Sequence, residues 1–395
     1  MFSNKGLCDL ISGCNTVAEA RDIFESLGYV PPRPGPVGGS FYHPREQRFY
    51  QQVESLGGFN NCHGHADRAY TLEEMIRQYG ENVFERPMTE KWDMTRALER
   101  KTTEDDYLRR ILTYIFESSD LGSRYIATNI DADPSAGPRA LQAAQIARAL
   151  FQRNPASDPY GKVEFRFGAH PHEGFYTEGR LDQQKIELYE YGCEIADFCG
   201  GLPSRDGRIG GGDEDRFNEH LDIVLNTAKR LGKNCGIHVD QSNSIHENET
   251  RRLLEKMDEH RMWGRVVGVH GVSISRKSRK EQDDLFALMK AAGFELIVCA
   301  TAAISMKAPA EISPTGGSIA PIPDLVKAGV RVSLGGDNRA DIYNPNSTGN
   351  MREEIVRAQE TLRCYDQKLF AGVATNIPFR GHSSPERLFN VVSCG

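Results

Sequence analysis

Eight short apolar runs alternate with amphipathic segments along most of this 395-residue chain. The runs are rich in β-branched and aromatic residues, as buried parallel strands are, and the segments between them repeat apolar residues at helical spacing. Eight such units joined by right-handed crossovers are typical of an α/β protein with a (β/α)8 TIM barrel. An open, doubly wound sheet is the alternative. The predicted strands are GFNNCHGH, SRYIATNID, VEFRFGAH, EIADFCGGL, NCGIHVD, RVVGVH, ELIVCAT and RVSLGGD.

The beginning of the chain differs from this alternating pattern. VAEARDIFESLGY has helical spacing, and the PPRPGPVGG that follows it cannot continue a helix. We therefore predict a helical N-terminal extension with a Pro/Gly linker over residues 1–55, and a metal-dependent hydrolase barrel over residues 56–395. The barrel needs no further division, because a chain of this length can bury one large core.

Composition limits the partners of the chain. The 48 Lys and Arg are outnumbered by 55 Asp and Glu, which gives a formal net charge of -7 and argues against a nucleic-acid partner. No run of about 18 uncharged apolar residues indicates a membrane span, and MFSNKGLCDLISGCNTV is too polar for the apolar core of a signal peptide. We expect a cytoplasmic protein with a small-molecule substrate and no membrane partner. A homo-oligomer is possible, but no sequence feature fixes its interface.

Four of the predicted strands end in residue types that bind metal ions. His63 and His65 end the first strand, and His238, His270 and Asp337 end the fifth, sixth and eighth. In an extended strand, residues two apart point the same way, so His63 and His65 can face one ion. An isolated His-x-His pair is more often a surface turn or a buried structural pair, but the carboxyl ends of barrel strands meet at one place. The sequence therefore predicts a metal site there.

These motifs resemble those of the amidohydrolase superfamily, within it the cytosine deaminase branch with its N-isopropylammelide amidohydrolase-like relatives. The resemblance covers roughly residues 56–392, and it is carried by HGHAD, by HVD, by the lone His after strand six, and by GGDN followed by NPNSTGNMREE. It implies a TIM-barrel hydrolase. Most members frame the barrel with a small β-sandwich. No alternating strand pattern precedes residue 55 and the sequence ends at FNVVSCG, so we expect that sandwich to be reduced or absent.

The resemblance also implies a ligand set. One divalent ion, zinc or iron, would be held by His63, His65, His238 and Asp337, and His270 would orient the attacking water or the polarised group of the substrate. Binuclear members of the superfamily use a carbamylated Lys at the end of strand four, and EIADFCGGLPSR contains no Lys. We therefore predict one ion per chain.

The implied mechanism is hydrolysis by a metal-activated water. The ion lowers the pKa of bound water toward about 7, and Asp337 can accept the proton that the water loses. A general acid must then protonate the departing nitrogen. In the deaminases that the chain resembles, this acid is a Glu three residues after the strand-five His. Here the position is Gln241, whose amide can hydrogen-bond a substrate but cannot transfer a proton near pH 7.

Other departures from the motifs concern the substrate. His172 in HPHEG replaces a Gln that holds the substrate in the deaminases, and it could act as an acid or base or be an ordinary loop residue. Asn338 replaces the second Asp of Gly-x-Asp-Asp, and Arg68 could bind a carboxylate through its guanidinium fork or form an ion pair with Asp67. Asp240 is better placed for a supporting role. The loss of two acidic groups favours a neutral or anionic substrate.

Three functions follow from these patterns. The first is a metal-dependent hydrolase that cleaves a non-peptide carbon–nitrogen bond in an amide, cyclic imide or amidine. The second is a cytosine-deaminase-like aminohydrolase that releases ammonia from a heterocycle and uses His172 or another group in place of the missing Glu. The third is a metal-binding protein without turnover.

Overall fold

The computed structural model describes residues 6–30, 44–207, 213–305 and 319–380. Eight parallel strands in these ranges form one sheet, and a separate two-stranded antiparallel hairpin is formed by β4 and β5. The strands are β1 (Phe59–Asn61), β2 (Ser123–Asp131), β3 (Glu164–His170), β4 (Tyr176–Thr177), β5 (Arg180–Leu181), β6 (Phe198–Gly201), β7 (Cys235–Val239), β8 (Val266–His270), β9 (Glu295–Val298) and β10 (Arg331–Leu334).

The large sheet curls into a barrel. Its strand order is β1-β2-β3-β6-β7-β8-β9-β10, so each strand lies beside the next one along the chain. The first and last strands approach each other: the amide of Cys62 donates to the carbonyl of Leu334 over 2.9 Å, and Gly64 forms a parallel bridge with Asp337. The predicted TIM barrel is confirmed, and the open sheet is wrong.

Helices cover the outside of the barrel. In the described residues they are α1 (Leu7–Ser12), α2 (Val17–Ser26), α3 (Pro44–Ser55), α4 (Leu72–Tyr79), α5 (Met88–Glu99), α6 (Glu104–Asp120), α7 (Pro138–Arg153), α8 (Gln183–Ile195), α9 (Pro203–Gly207), α10 (Glu214–Leu231), α11 (Glu249–His260), α12 (Arg279–Ala291), α13 (Ala300–Ser305), α14 (Ile322–Ala328), α15 (Met351–Leu362) and α16 (Gln367–Thr375), with short 3-10 helices at Val83–Glu85 and Val272–Arg276. None of these helices has both the length and the apolar character that crossing a membrane requires.

Each predicted strand contains an observed one, but β1 and β10 end several residues earlier than predicted, and two further boundaries were wrong. In EIADFCGGL the strand begins at Phe198, because Glu194 and Ile195 complete the last turn of α8. In ELIVCAT the strand ends at Val298, and α13 begins at Ala300. A short apolar segment does not distinguish a strand from the buried end of a helix, which explains both errors.

The N-terminal segment packs on the barrel helices. Helix α1 lies against α6 and α7, and α3 lies against α16. Leu7, Ile11 and Phe24 belong to the same continuous apolar core as the barrel. The predicted Pro/Gly linker lies outside the described residues. In the described part of the chain the hairpin is the only sheet outside the barrel, and the division at residue 55 stays a prediction.

Candidate metal centre and active site

Four buried side chains converge beyond the carboxyl ends of β1, β7 and β10. They are His63, His65, His238 and Asp337, and one ligand atom from each lies within 4.8 Å of the others. Asp337 Oδ1 is 3.2 Å from His63 Nε2 and 3.3 Å from His65 Nε2. The ring centroid of His238 lies 4.8 Å from that of His63. We call these four residues the histidine cluster.

The backbone around the histidine cluster leaves little room for other residues. A Cβ atom on Gly64 would lie 2.2 Å from the hydroxyl of Tyr114, so only glycine fits between the two histidines. Asn61 fixes the facing loop, because its side-chain oxygen accepts from the amide of Gly336 over 2.9 Å and its side-chain nitrogen donates to the Tyr114 hydroxyl over 2.9 Å. Asp337 itself has a left-handed backbone, with φ of 56°. The HGH segment after β1 and the GGD segment after β10 thus hold each other in place.

The protonation of the histidine cluster suits a divalent ion. His238 Nδ1 lies 3.0 Å from the carbonyl of Gly201, and because a carbonyl only accepts, Nδ1 carries the proton and Nε2 keeps its lone pair. Burial brings the pKa of His65 and of His238 well below the usual value. Burial alone would raise the pKa of Asp337, but hydrogen bonds with His63 and His65 hold it well below its usual range. Neutral imidazoles and an ionised carboxylate are ligands for zinc or iron.

A cavity of about 400 Å³ opens above the histidine cluster. His270 lies in its wall, with its ring centroid 5.2 Å from that of His238 and its Nδ1 without a partner among the described residues. Burial lowers the pKa of His270 to about 4, so the ring is neutral at neutral pH. The wall also contains His65, Arg68, Trp92, His170, His172, Ser204, His238, Gln241, Glu247, Asp337, Asn338 and Tyr343.

The two residues that replace acids both face this cavity. Gln241 Nε2 donates to the hydroxyl of Ser204 over 3.3 Å, and Asn338 Nδ2 donates to Asp341 Oδ2 over 2.6 Å. Each amide therefore has a protein partner that fixes its orientation, and each still lies where a substrate can reach it.

His172 and Arg68 lie side by side in the cavity wall. His172 Nε2 is 3.4 Å from the hydroxyl of Tyr343, and its Nδ1 is 3.7 Å from Asp131 Oδ2. Burial and then the charge of Arg68 bring the pKa of His172 well below its usual value, which argues against a proton-donating role near neutral pH. Arg68 pairs with Asp131 at 3.5 Å, rather than with the predicted Asp67, and its guanidinium lies over the ring of Tyr343.

A second buried cluster contains His172 and adjoins Arg68. Glu99, Asp131, Asp133 and His172 bring one ligand atom each within 4.8 Å of the others. Burial, followed by repulsion from Asp133 and Asp131, raises the pKa of Glu99 well above its usual value. Burial and the charge of Asp131 do the same for Asp133. We call Glu99, Asp131 and Asp133, with the neighbouring Arg68, the carboxylate cluster.

Asp240 has the supporting role expected for it. Its carboxylate accepts from the amides of Glu249 at 2.9 Å and Thr250 at 3.2 Å, at the start of α11. Its own amide donates to Glu249 Oε2 over 2.7 Å. These reciprocal bonds fix the loop that follows β7, and with it His238 and Gln241.

Sequence reasoning missed several cavity residues. His170 lies 5.2 Å from His65 and 4.9 Å from His238 between ring centroids, and the His-x-His of HPHEG was a usable signal for it. Trp92, Tyr343 and Glu247 also line the cavity, and they come from a helix and two loops whose spacing carries no signal.

Known proteins resemble this chain in sequence and in fold. No protein-family model matches the chain. An uncharacterized protein of Haemophilus influenzae is 32% identical over 287 residues, which are 72% of this chain and 96% of that protein. The N-isopropylammelide isopropyl amidohydrolase of Pseudomonas sp. strain ADP is 21% identical over 301 residues, 74% of this chain and 65% of that enzyme, so the chain spans about two thirds of its length.

Solved structures share the barrel. The 5-methylcytosine deaminase of Klebsiella pneumoniae with 5-fluorocytosine bound superposes with a TM-score of 0.68 at 22% identity, over 80% of this chain and 72% of that one. The N-isopropylammelide isopropylaminohydrolase of Burkholderia multivorans gives a TM-score of 0.60 at 20% identity, again over 80% and 72%. These likenesses establish the fold.

Proposed function

We propose that this chain is a metal-dependent hydrolase that cleaves a non-peptide carbon–nitrogen bond of a small molecule. The chain belongs to one family with the Haemophilus influenzae protein, and it has the barrel of the amidohydrolase superfamily. The observation that carries the proposal is the histidine cluster, whose four ligand atoms lie within 4.8 Å of one another at the floor of a cavity. A scaffold without chemistry has no need to bury three histidines against one carboxylate.

The histidine cluster would hold one zinc or iron ion through His63, His65, His238 and Asp337. When bound, such an ion supplies Lewis acidity, which makes hydroxide available near neutral pH for attack on an sp² carbon. Asp337 takes the proton that the attacking water loses. His270, neutral and without a partner on Nδ1 in the described residues, hydrogen-bonds the water or the substrate oxygen.

The cavity wall supports a neutral or anionic substrate. Gln241 and Asn338 present amides where the deaminase motif has carboxylates, and Arg68, although paired with Asp131, also lines the wall. His172 serves as a hydrogen-bonding partner of the substrate, since its neutral ring is a poor proton donor. Trp92 gives the wall an apolar side. An acylated amine or a cyclic imide matches this mixture of groups better than a basic amidine does.

Deamination of a heterocycle is the second candidate, because the fold of the Klebsiella pneumoniae 5-methylcytosine deaminase matches at a TM-score of 0.68. The usual deaminase mechanism requires a Glu where this chain has Gln241, and an amide cannot transfer the proton. The third candidate, a metal-binding protein without turnover, predicts full metal occupancy with no hydrolysis.

One screen separates these candidates. The chain is loaded with zinc or iron and tested on a matched panel of N-acyl amines, cyclic imides and aminopyrimidines, with amine and ammonia measured separately. We expect release of amine or ring opening and no ammonia from cytosine. Ammonia as the main product would favour the aminohydrolase, and no turnover across the panel at full metal occupancy would overturn both enzyme functions.

The cytoplasmic location and the homo-oligomer remain predictions from the sequence. Light scattering on the purified protein would measure the number of chains per particle directly.

A further inference from the structure

Glu247 is a buried carboxyl group in the wall of the cavity that the residues discussed so far leave without a role. It lies in the loop between β7 and α11, and its side chain is buried. Its Oε2 accepts from the backbone amide of Ser242 over 2.9 Å and from the hydroxyl of Ser273. Ser242 follows β7 and Ser273 follows β8, so Glu247 joins the segments that follow the two strands carrying His238 and His270.

The proposed reaction lacks a proton donor, and few groups in the cavity can fill that place. Gln241 cannot transfer a proton. Of the carboxyl groups in the described cavity wall, Asp337 belongs to the histidine cluster and Glu85 is exposed at the mouth. Glu247 is the one that is both buried and outside the ligand set. Its second oxygen, Oε1, accepts no hydrogen bond from the described residues.

We infer that Glu247 is the general acid of this site and takes the place that Gln241 cannot fill. This inference rests on the proposed function. The oxygen of water forms a bond to the substrate carbon and leaves one proton on Asp337. Glu247 gives its carboxyl proton to the nitrogen as the carbon–nitrogen bond breaks, so the nitrogen leaves as a neutral amine. The Glu247 carboxylate then takes a proton from solvent and Asp337 releases one, so the net change is the addition of one water across the bond.

The surroundings of Glu247 agree with this role. Burial, with repulsion from Asp240, raises the pKa of Glu247 to about 7 despite the hydrogen bonds from Ser273 and Ser242. The other charged or titratable groups around this loop include His246, Glu249, Arg252, Lys277 and His270. A carboxyl group that titrates near the working pH is suited to proton transfer.

The test compares Glu247→Gln with Glu354→Gln at equal metal content. Glu354 is a matched control, because it is a buried carboxyl whose pKa burial also raises to about 7, it accepts from the amide of Thr301, and it does not line the cavity. The substrates are two amides with the same acyl group, one with an alkylamine and one with a nitroaniline leaving group. We expect Glu247→Gln to lower kcat about 10²–10⁴-fold on the alkylamide and much less on the nitroanilide, whose nitrogen leaves with little help from an acid. Glu354→Gln should change neither rate more than a few fold.

Three further readouts separate an acid from a structural residue. The basic limb of the kcat–pH profile near neutral pH should disappear in Glu247→Gln. Infrared difference spectra against this variant should show that Glu247 loses its carboxylic acid band as pH rises past neutral. Adding Gln241→Glu to Glu247→Gln should restore part of the alkylamide activity.

The outcomes distinguish the role of Glu247 from the proposed hydrolase function. Equal losses on both amides, or full activity of Glu247→Gln, would overturn the role of Glu247 and leave the proposed function standing. No turnover by the metal-loaded wild type on any amide or imide would overturn the proposed function, and the role of Glu247 with it.

Discussion

The histidine cluster and the carboxylate cluster lie at the same end of one barrel, and each is built from four residues that are buried. In the histidine cluster three histidine rings face a single carboxylate, Asp337, whose pKa is held low by its hydrogen bonds. In the carboxylate cluster the acidic groups are in the majority, since three carboxylates share the space with one basic residue, Arg68. Burial raises the pKa of Glu99 and Asp133 there.

This difference in composition leads to different ways of balancing charge. The carboxylate cluster carries its own cation, Arg68, which lies 3.5 Å from Asp131, and it can also retain protons. The histidine cluster has no cation among its own four residues and leaves imidazole lone pairs unused. A divalent ion completes such a set, whereas an arginine side chain completes the other. The two clusters should therefore respond to different perturbations.

The largest effect should come from Asp337→Asn. The amide keeps the shape of the side chain but removes its charge and its ability to accept a proton, so kcat should fall by about 10³-fold or more. The assay is run at saturating zinc to separate weaker metal binding from slower chemistry. Activity close to wild type would mean that Asp337 is outside the reaction.

Arg68→Met should destabilise the fold through the carboxylate cluster. Removing one partner of a buried ion pair leaves the other uncompensated, and the free energy of unfolding should drop by about 3–5 kcal/mol at pH 8. The loss should be smaller at pH 5, because the pKa values of these buried carboxyls are raised and the carboxylate cluster holds more protons there. Urea unfolding measures both values. The control is Arg86→Met at the exposed mouth of the cavity, which should change the same quantity by less than about 1 kcal/mol.

Gly64→Ala tests the packing that sets the histidine cluster. The added Cβ would lie 2.2 Å from the Tyr114 hydroxyl, and relieving this clash should lower the free energy of unfolding by about 1–3 kcal/mol. Adding Tyr114→Phe should recover part of the loss. Gly372→Ala, at a helical glycine where a Cβ meets nothing within 4 Å, should be neutral or stabilising. Equal unfolding free energies for the Gly64 variant and the wild type would contradict the steric account.

The smallest effect is the pH dependence contributed by Glu99. Its folded pKa is raised above the usual value of 4.5, so the stability it contributes is complete below that pH and is lost as pH rises through the folded pKa. Glu99→Gln should flatten this decline by about 1 kcal/mol over the neutral range. Thermal unfolding from pH 5 to 8 would show it, and an unchanged slope would mean that Glu99 is ionised in the folded state.

The barrel and the ligand residues could be predicted because their signals are local. Each βα unit shows its own periodicity, and His63, His65, His238, His270 and Asp337 all sit where a predicted strand ends. Strand ends share one rim in any parallel barrel, so their meeting follows from topology.

The rest of the cavity could not be predicted, because its residues come from segments whose paths depend on tertiary packing. Trp92 arrives on α5, and Glu247 arrives in a loop nine residues after His238. The partners of Arg68 and His172 could not be predicted either, since Asp131 ends β2, between β1 and β3, and its contacts with the loops after those strands depend on side-chain packing.

Metal content is the most direct test of the histidine cluster. Protein purified without added metal is measured by mass spectrometry, beside His238→Ala and, as a control from the carboxylate cluster, Glu99→Gln. We expect about one zinc or iron per chain in the wild type and in Glu99→Gln, and a value far below one in His238→Ala. Absence of metal from the wild type even after reconstitution, or equal occupancy in His238→Ala, would contradict the account.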